Sequence, residues 1–151
     1  HATDGNYTSP GGTLTVAALD VARKSMRLQT DPVSGDVLNA VPRVLLVPAA
    51  LETAARVMAA SQNTPLGDAE GDLIVAVDPN LDSGTNGGTA WYLMAGKEAF
   101  DTVLVSFLGG VDAPMVESMR PWEIDGVENR VRLDFAVTAV DFRTMYRNRG
   151  A

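Results

Sequence analysis

The segment 41–60 constrains the fold more than any other part of the chain. Its sequence is VPRVLLVPAALETAARVMAA, in which an apolar run from Arg43 to Val47 stops at Pro48. Proline is tolerated in the first turn of a helix, because the N–H that it lacks has no partner there. Apolar side chains then recur at helical spacing, at Leu51, Ala54, Ala55 and Met58. The segment therefore predicts a buried strand over 43–47 that leads into a helix over 48–60.

The remaining segments predict one more helix and several short strands. Thr15 suits the N-cap of a helix that extends to about Gln29 and buries Val16, Leu19, Ala22 and Met26. Apolar runs predict strands over 73–77, 90–94 and 102–108, and the hairpin signal after residue 124 predicts a further strand over 122–124. The Asp125-Gly126 pair predicts a hairpin turn into a long strand over 127–137, whose alternating pattern indicates one buried face. Residues 141–149 suit a short helix or strand, and the overall order is α+β.

Length and composition narrow the class of protein. The 151 residues suit one ordinary domain or two small lobes that share a core. No apolar run approaches the roughly 18 residues that a membrane-spanning helix needs. Cysteine is absent, which excludes a disulfide framework and thiolate metal sites. Because the chain begins at His1 without an initiator methionine or a signal peptide, we expect a processed product, a trimmed chain or a fragment.

The net charge of −7 is unevenly distributed. Residues 61–128 carry twelve acidic groups against Lys97 and Arg120, whereas residues 129–151 carry five arginines against two aspartates. An acidic middle and a basic end suit head-to-tail contact between copies of the chain. A solvated surface of uneven charge explains the pattern equally well. The sequence shows no broad basic stretch of the kind that a general nucleic-acid binder would have.

One triplet indicates a possible hydrolase. Asp82-Ser83-Gly84 matches the triplet of aspartic proteases, in which two carboxylates share a proton. Because the chain has one copy of it, a homodimer would have to supply the second carboxylate. A polar loop tip is the more ordinary interpretation. The only histidine is His1, which leaves little room for a Ser-His-Asp triad.

Other polar clusters predict no specific site. Asp68, Glu70 and Asp72 alternate like the start of a calcium loop, but Leu73 occupies the position that needs glycine. Residues 86–89 lack the Gly-Lys-Ser/Thr of a phosphate-binding loop. We therefore predict no catalytic, metal-binding or cofactor-binding residues and no cofactor. Four aromatic residues fit either the core or an interface, namely Trp91, Tyr92, Phe107 and Trp122.

An ordered set of segments resembles one group of tailed-bacteriophage major capsid proteins. The set begins with His1 and Asn6, which precede a glycine-rich stretch. It includes the predicted helix LDVARKSMRLQ of residues 19–29 and then the segment VPAALE of residues 47–52. It continues with AWYL of residues 90–93 and closes with the segments 131–135, 141–143, 146–148 and 150–151. In this group a ClpP-like head-maturation protease often precedes the capsid part. The chain has Pro48-Ala49 where the group often has two prolines, and it lacks the usual Asp-Pro near Ala95.

The resemblance implies the Hong Kong 97-type phage major capsid fold without its N-terminal arm, extended loop and spine helix. Residues 1–12 would be a flexible arm. Residues 13–42 and 111–151 would form the peripheral lobe, and residues 43–110 the axial lobe inserted between them. Loops 61–72 and 79–89 would lie near a symmetry axis. Three arginines would lie at contacts between subunits, namely Arg143, Arg147 and Arg149.

The implied function is structural rather than enzymatic. The chain would be a subunit of a phage or prophage head that self-assembles into an icosahedral shell around DNA. Its partners would be other copies in pentamers and hexamers, with the head-maturation protease and the portal as further candidates. We expect no membrane contact and no sequence-specific nucleic-acid binding. The location would be the virion capsid, assembled in the bacterial host cytoplasm. The alternatives are a dimeric hydrolase using Asp82 and another virion protein of the tail or the decoration type.

Overall fold

Nine short strands and two α-helices make up most of the regular structure in the described residues. The computed structural model describes residues 4–62, 73–84, 88–98, 100–123 and 125–151. The helices are α1 (Val16–Arg27) and α2 (Glu52–Gln62). The strands are β1 (Tyr7–Thr8), β2 (Pro42–Val47), β3 (Ile74–Val77), β4 (Trp91–Ala95), β5 (Val103–Phe107), β6 (Met115–Met119), β7 (Glu128–Arg132), β8 (Phe135–Ala139) and β9 (Met145–Asn148). The mixed α+β class predicted from the sequence is confirmed.

The chain divides into two compact units. The main unit comprises His1–Thr102 and Asp141–Ala151, and the strand unit comprises Val103–Val140. Helix α1 and strands β2 and β4 contribute buried side chains to one core in the main unit. Near the N-terminus, Tyr7 and Thr8 of β1 pair in parallel with β9.

A five-stranded sheet in the order β1-β9-β4-β2-β3 is the frame of the main unit. Strands β2 and β3 run parallel, with α2 in the connection between them, whereas β4 pairs antiparallel with both β2 and β9. Cross-strand partners Leu45, Leu93 and Tyr146 align across the sheet and lie on one face. Both helices supply side chains to the core that covers this face, including Leu19 and Met58.

Local sequence signals account for both helices. The Thr15 side chain caps α1 by accepting a hydrogen bond from the Ala18 N–H, as predicted. A short 3₁₀ turn, Ala49–Leu51, follows Pro48 and leads directly into α2. The predicted buried residues Leu19, Ala22, Met26, Ala55 and Met58 are confirmed. The prediction that Val16 and Ala54 belong to the buried helix faces is wrong, because both residues are exposed.

Residues of the C-terminal strand β9 hydrogen-bond to segments near both termini of the chain. The buried side chain of Asn148 accepts hydrogen bonds from the N–H groups of Gly12 and Gly150, at 3.1 and 2.9 Å. The Thr8 and Tyr146 hydroxyls also form a hydrogen bond. A buried amide that accepts from two separate backbone segments holds them in one arrangement, because an unpaired buried N–H is costly.

The strand unit consists of two pairs of antiparallel strands. Strand β5 pairs with β8, and β6 pairs with β7. The predicted single strand over 127–137 is wrong, because the chain changes partner at Leu133 and Asp134. A strand is also predicted over 122–124, but Trp122 and Glu123 are not in a strand. Residue 124 lies outside the described residues. The connection from β6 to β7 is therefore longer than the predicted two-residue turn.

Within the strand unit, the described residues form two strand pairs and no covering layer. The face predicted to be buried is exposed, at 64% for Val131, 58% for Phe135 and 58% for Val137. The prediction of one buried face is therefore wrong for these residues. An isolated two-stranded sheet is marginally stable in water, so these strands need a covering partner.

Candidate interaction surface

The carboxylate of Asp82 has a structural role. Its two oxygens accept hydrogen bonds from the backbone N–H groups of Ala49 (2.9 Å) and Ala50 (3.2 Å) at the start of the α2 segment. Helix starts leave such N–H groups without intrahelical partners, and a negative charge there is favourable. A carboxylate engaged in this way does not support the hydrolase alternative.

The structure supplies no metal site among the residues it describes. Within the described ranges no three acidic or histidine side chains come together closely enough to hold an ion. The predicted acidic cluster of Asp68, Glu70 and Asp72 lies outside the described residues, as does the rest of 63–72. In loop 79–89, the described part includes a 3₁₀ turn, Pro79–Leu81, while residues 85–87 also lie outside.

Arg143 forms its contacts within the main unit. Its guanidinium lies 3.0 Å from the Asp141 carboxylate and 3.7 Å from that of Asp31. It also lies 5.9 Å from the centre of the Phe142 ring, within cation–π distance. A side chain held by these three neighbours stabilises the turn before β9.

Arg143 also changes the ionisation of its acidic partners. Burial tends to raise the pKa of Asp141, but hydrogen bonds from the Arg143 backbone and side chain, together with its charge, outweigh burial and lower that pKa. The pKa of Asp31 is lowered first by a backbone hydrogen bond from Val33, with smaller help from Ser34 and Arg143. Both aspartates therefore favour their charged forms in the folded chain.

The second face of the five-stranded sheet carries aromatic and apolar side chains around one arginine. Strand register places Tyr7, Arg147, Tyr92, Leu46 and Ala76 in one row across the sheet. The neighbouring row contains Met145, Met94, Val44 and Ile74. Side chains in these rows alternate along the strands with the core residues, and so lie on the face opposite α1 and α2. We call this surface the open sheet face.

Arg147 lies between two tyrosine rings on this face. Its guanidinium carbon is 5.6 Å from the centre of the Tyr7 ring and 5.8 Å from that of Tyr92. The Nε atom is buried and has no hydrogen-bond partner among the described residues. A groove of about 410 Å³ lies here, lined by residues of β1, β4 and β9. The arrangement presents a positive charge within an aromatic surface.

The four aromatic residues singled out in the sequence have different environments. Trp91 is fully buried in the core, whereas Tyr92 and Phe107 are half-buried. Trp122, in the β6–β7 connection, has a relative exposure of 105%. Sequence pattern alone could not separate these cases, since each of the four residues lies in a predicted strand.

Comparison with known proteins finds one family and one similar solved structure. A family model described as "Phage capsid protein" matches residues 1–148. A solved chain from "Satellite phage P4 procapsid including size determination (Sid) protein" is similar at 12% identity and a TM-score of 0.45, over 93% of this chain. The present chain spans 39% of the length of that chain. No curated protein matches in sequence. Among the described helices, none has the length and apolar character needed to cross a bilayer.

Proposed function

Because the chain belongs to the phage capsid protein family, we propose that it is a structural subunit of a phage or prophage head. In this proposal it assembles with other copies into an icosahedral shell that encloses DNA. The match to the family model over residues 1–148 is the observation that carries the proposal. The protein would act in the virion capsid, after assembly in the cytoplasm of the bacterial host.

Exposed apolar strands support a role in assembly. In the strand unit, Val105 is 47% exposed, Val116 61% and Phe135 58%. Such a surface on a monomeric protein favours association, because burying apolar area contributes about 25 cal/mol per Å². A shell subunit would cover these strands with neighbouring protein.

The finer features of the proposal follow from the resemblance to the major capsid proteins of tailed phages. The fold would be of the Hong Kong 97 type, with residues 13–42 and 111–151 in the peripheral lobe and residues 43–110 in the axial lobe. The copies would form pentamers and hexamers with loops 61–72 and 79–89 near their axes. The head-maturation protease and the portal would be further partners.

The three arginines predicted to lie at contacts between subunits have different environments. Arg143 is held by Asp31 and Asp141 within its own chain, which favours a role in folding. Arg147 lies on the open sheet face and Arg149 is exposed beyond β9. We therefore keep Arg147 and Arg149 as the residues proposed to lie at contacts between subunits.

The number of copies per particle distinguishes a shell subunit from most other virion proteins. We expect quantitative mass spectrometry of purified, tail-free heads to give hundreds of copies of this chain per particle. A value of a few copies, or recovery of the chain only with tails, would contradict the proposal. The Asp82 hydrolase makes a different prediction, since Asp82→Asn would abolish proteolysis without changing copy number.

A further inference from the structure

The open sheet face has the chemistry of a surface that receives an acidic, aromatic segment. Arg147 lies between Tyr7 and Tyr92, and within the described part of the chain no carboxylate pairs with it. Beside it lie Met94 and Met145, which are cross-strand partners. Methionine side chains are flexible and make favourable contacts with aromatic rings, so they suit a surface that accepts another molecule.

The β6–β7 connection has the complementary chemistry. Met119 and Glu128 are the last paired residues of these strands, and the connection between them forms the tip of this hairpin. Trp122 at the tip is fully exposed, although tryptophan is highly buried on average. Glu123 and Asp125, on either side of residue 124, are also exposed. We call Trp122, Glu123 and Asp125 the acidic tip.

The two surfaces are complementary in charge and in side-chain chemistry. An acidic carboxylate near Arg147 would supply the negative partner that the described structure lacks. An indole ring against the arginine and the two tyrosines would gain cation–π and aromatic contacts. The groove, at about 410 Å³, is within the size range of sites that enclose small molecules, and it leaves room for an indole. Exposed tryptophan and arginine are also the residues most often responsible for affinity at interfaces.

We propose that the acidic tip of one copy binds the open sheet face of a second copy. Trp122 enters the groove beside Arg147, while Glu123 and Asp125 lie close to its positive charge. The contact is head-to-tail, since it joins two different surfaces, and such contacts build rings or chains of subunits. This inference rests on the proposed function only in assuming that copies of the chain meet.

Charge reversal on each surface provides the test. We expect the full chain to associate with concentration, measured as molar mass by light scattering and sedimentation between about 1 and 200 µM, the range of weak protein contacts. Arg147→Glu, and separately the double variant Glu123→Lys with Asp125→Lys, should each raise the dissociation constant roughly tenfold or more, because like charges then face each other. An equimolar mixture of the two variant proteins should recover association, because each surface again meets its opposite.

Two exposed positions outside both surfaces supply matched controls. Lys24→Glu makes the same change of charge as Arg147→Glu, but on α1, and should leave association unchanged. Trp122→Ser should weaken association, whereas Val33→Ser, at a position 92% exposed, should not. Circular dichroism and thermal melting show that each variant folds. Because Trp122 is exposed, Trp122→Ser should fold normally. The effect of this variant on association therefore tests the proposal even if Arg147→Glu does not fold.

Each result decides the proposal. A wild-type chain that stays monomeric over the whole concentration range would overturn it. So would association that is unaffected by both tip variants, or a mixture of folded variants that does not recover. The outcome is separable from the proposed function, since a chain present at hundreds of copies per head could still lack this contact.

Discussion

The Asp82 carboxylate accepts a hydrogen bond from the backbone N–H of Ala49 at 2.9 Å, although the two residues are 33 positions apart in sequence. A second bond from Ala50 uses the other carboxylate oxygen. The interaction fastens the loop after β3 to the start of the α2 segment and satisfies N–H groups that a helix start leaves unpaired. A residue that suggested hydrolysis in the sequence is thus part of the scaffold.

Removing this carboxylate should destabilise the main unit. We expect Asp82→Ala to lower the free energy of unfolding by about 1 kcal/mol, the usual effect of losing a capping side chain. Asp82→Asn should lower the free energy of unfolding by a smaller amount, because the amide oxygen of asparagine can still accept one hydrogen bond. Urea unfolding followed by circular dichroism measures both. Equal stability of Asp82→Ala and the wild type would show that the capping interaction is dispensable.

Two glycines with the same backbone conformation should respond differently to alanine. Gly150 and Gly35 have φ values of +77° and +76°. At Gly150 a Cβ atom would lie 2.2 Å from the Thr89 carbonyl oxygen, whereas at Gly35 nothing lies within 4 Å. Gly35→Ala should therefore cost about 1 kcal/mol for the left-handed conformation alone. Gly150→Ala should cost a further 1–3 kcal/mol, roughly, from steric overlap.

The same unfolding experiment separates these two effects. Because Gly35→Ala carries the conformational cost without the overlap, it serves as the control for Gly150→Ala. If the two variants are equally stable, the close approach of residues 89 and 150 does not exist in solution.

The ion pair between Asp141 and Arg143 should make stability depend on pH. Because the pKa of Asp141 in the folded chain is below its ordinary value of 3.8, the folded state binds fewer protons than the unfolded state in acid. The stabilisation is present above pH 3.8 and is lost as the pH falls through the folded pKa. Asp141→Asn should therefore reduce stability at pH 6, by up to about 1 kcal/mol for a partly exposed pair. Below pH 3.8 the difference between variant and wild type should shrink.

A double-mutant cycle tests whether Arg143 causes the stabilisation that the Asp141 carboxylate provides. In an Arg143→Gln background, Asp141→Asn should have a much smaller effect at pH 6. A difference between Asp141→Asn and the wild type that does not change between pH 6 and pH 3 would contradict the assignment.

Backbone hydrogen exchange should differ between the two units. We expect amides of the β5–β8 and β6–β7 pairs to exchange faster than those of the β2–β4 pair, because no buried layer protects them. Exchange measured by mass spectrometry on the free chain and on assembled heads should show new protection in the strand unit on assembly. Similar slow exchange of all strands in the free chain would mean that the strand unit is already covered.

Local signals allowed much of the fold to be predicted. Thr15 and the spacing of Leu19, Ala22 and Met26 are sufficient for α1, because helix capping and periodicity act within a few residues. Strands β2, β3, β4 and β5 were predicted from apolar runs with small errors at their ends. Strand β6 was missed, since its sequence MVESM has no strong pattern and its partner β7 lies beyond a loop.

Non-local contacts explain what the sequence could not reveal. Nothing near Tyr7 indicates that it pairs with Arg147 at the other end of the chain. The exposure of Trp122 depends on its place in a hairpin connection, whereas Trp91, in strand β4 of the five-stranded sheet, is buried. The open sheet face exists only once β1, β4 and β9 come together. The family resemblance identified a capsid protein, but not which residues form its surfaces.

A cryo-electron microscopy reconstruction of the phage head that contains this chain tests the central proposal most directly. We predict that the main unit and the strand unit fit the density of the continuous shell, at positions around both fivefold and sixfold axes. A shell built without this chain, or density for it only on the outer surface or in the tail, would contradict its assignment as the structural subunit of the head.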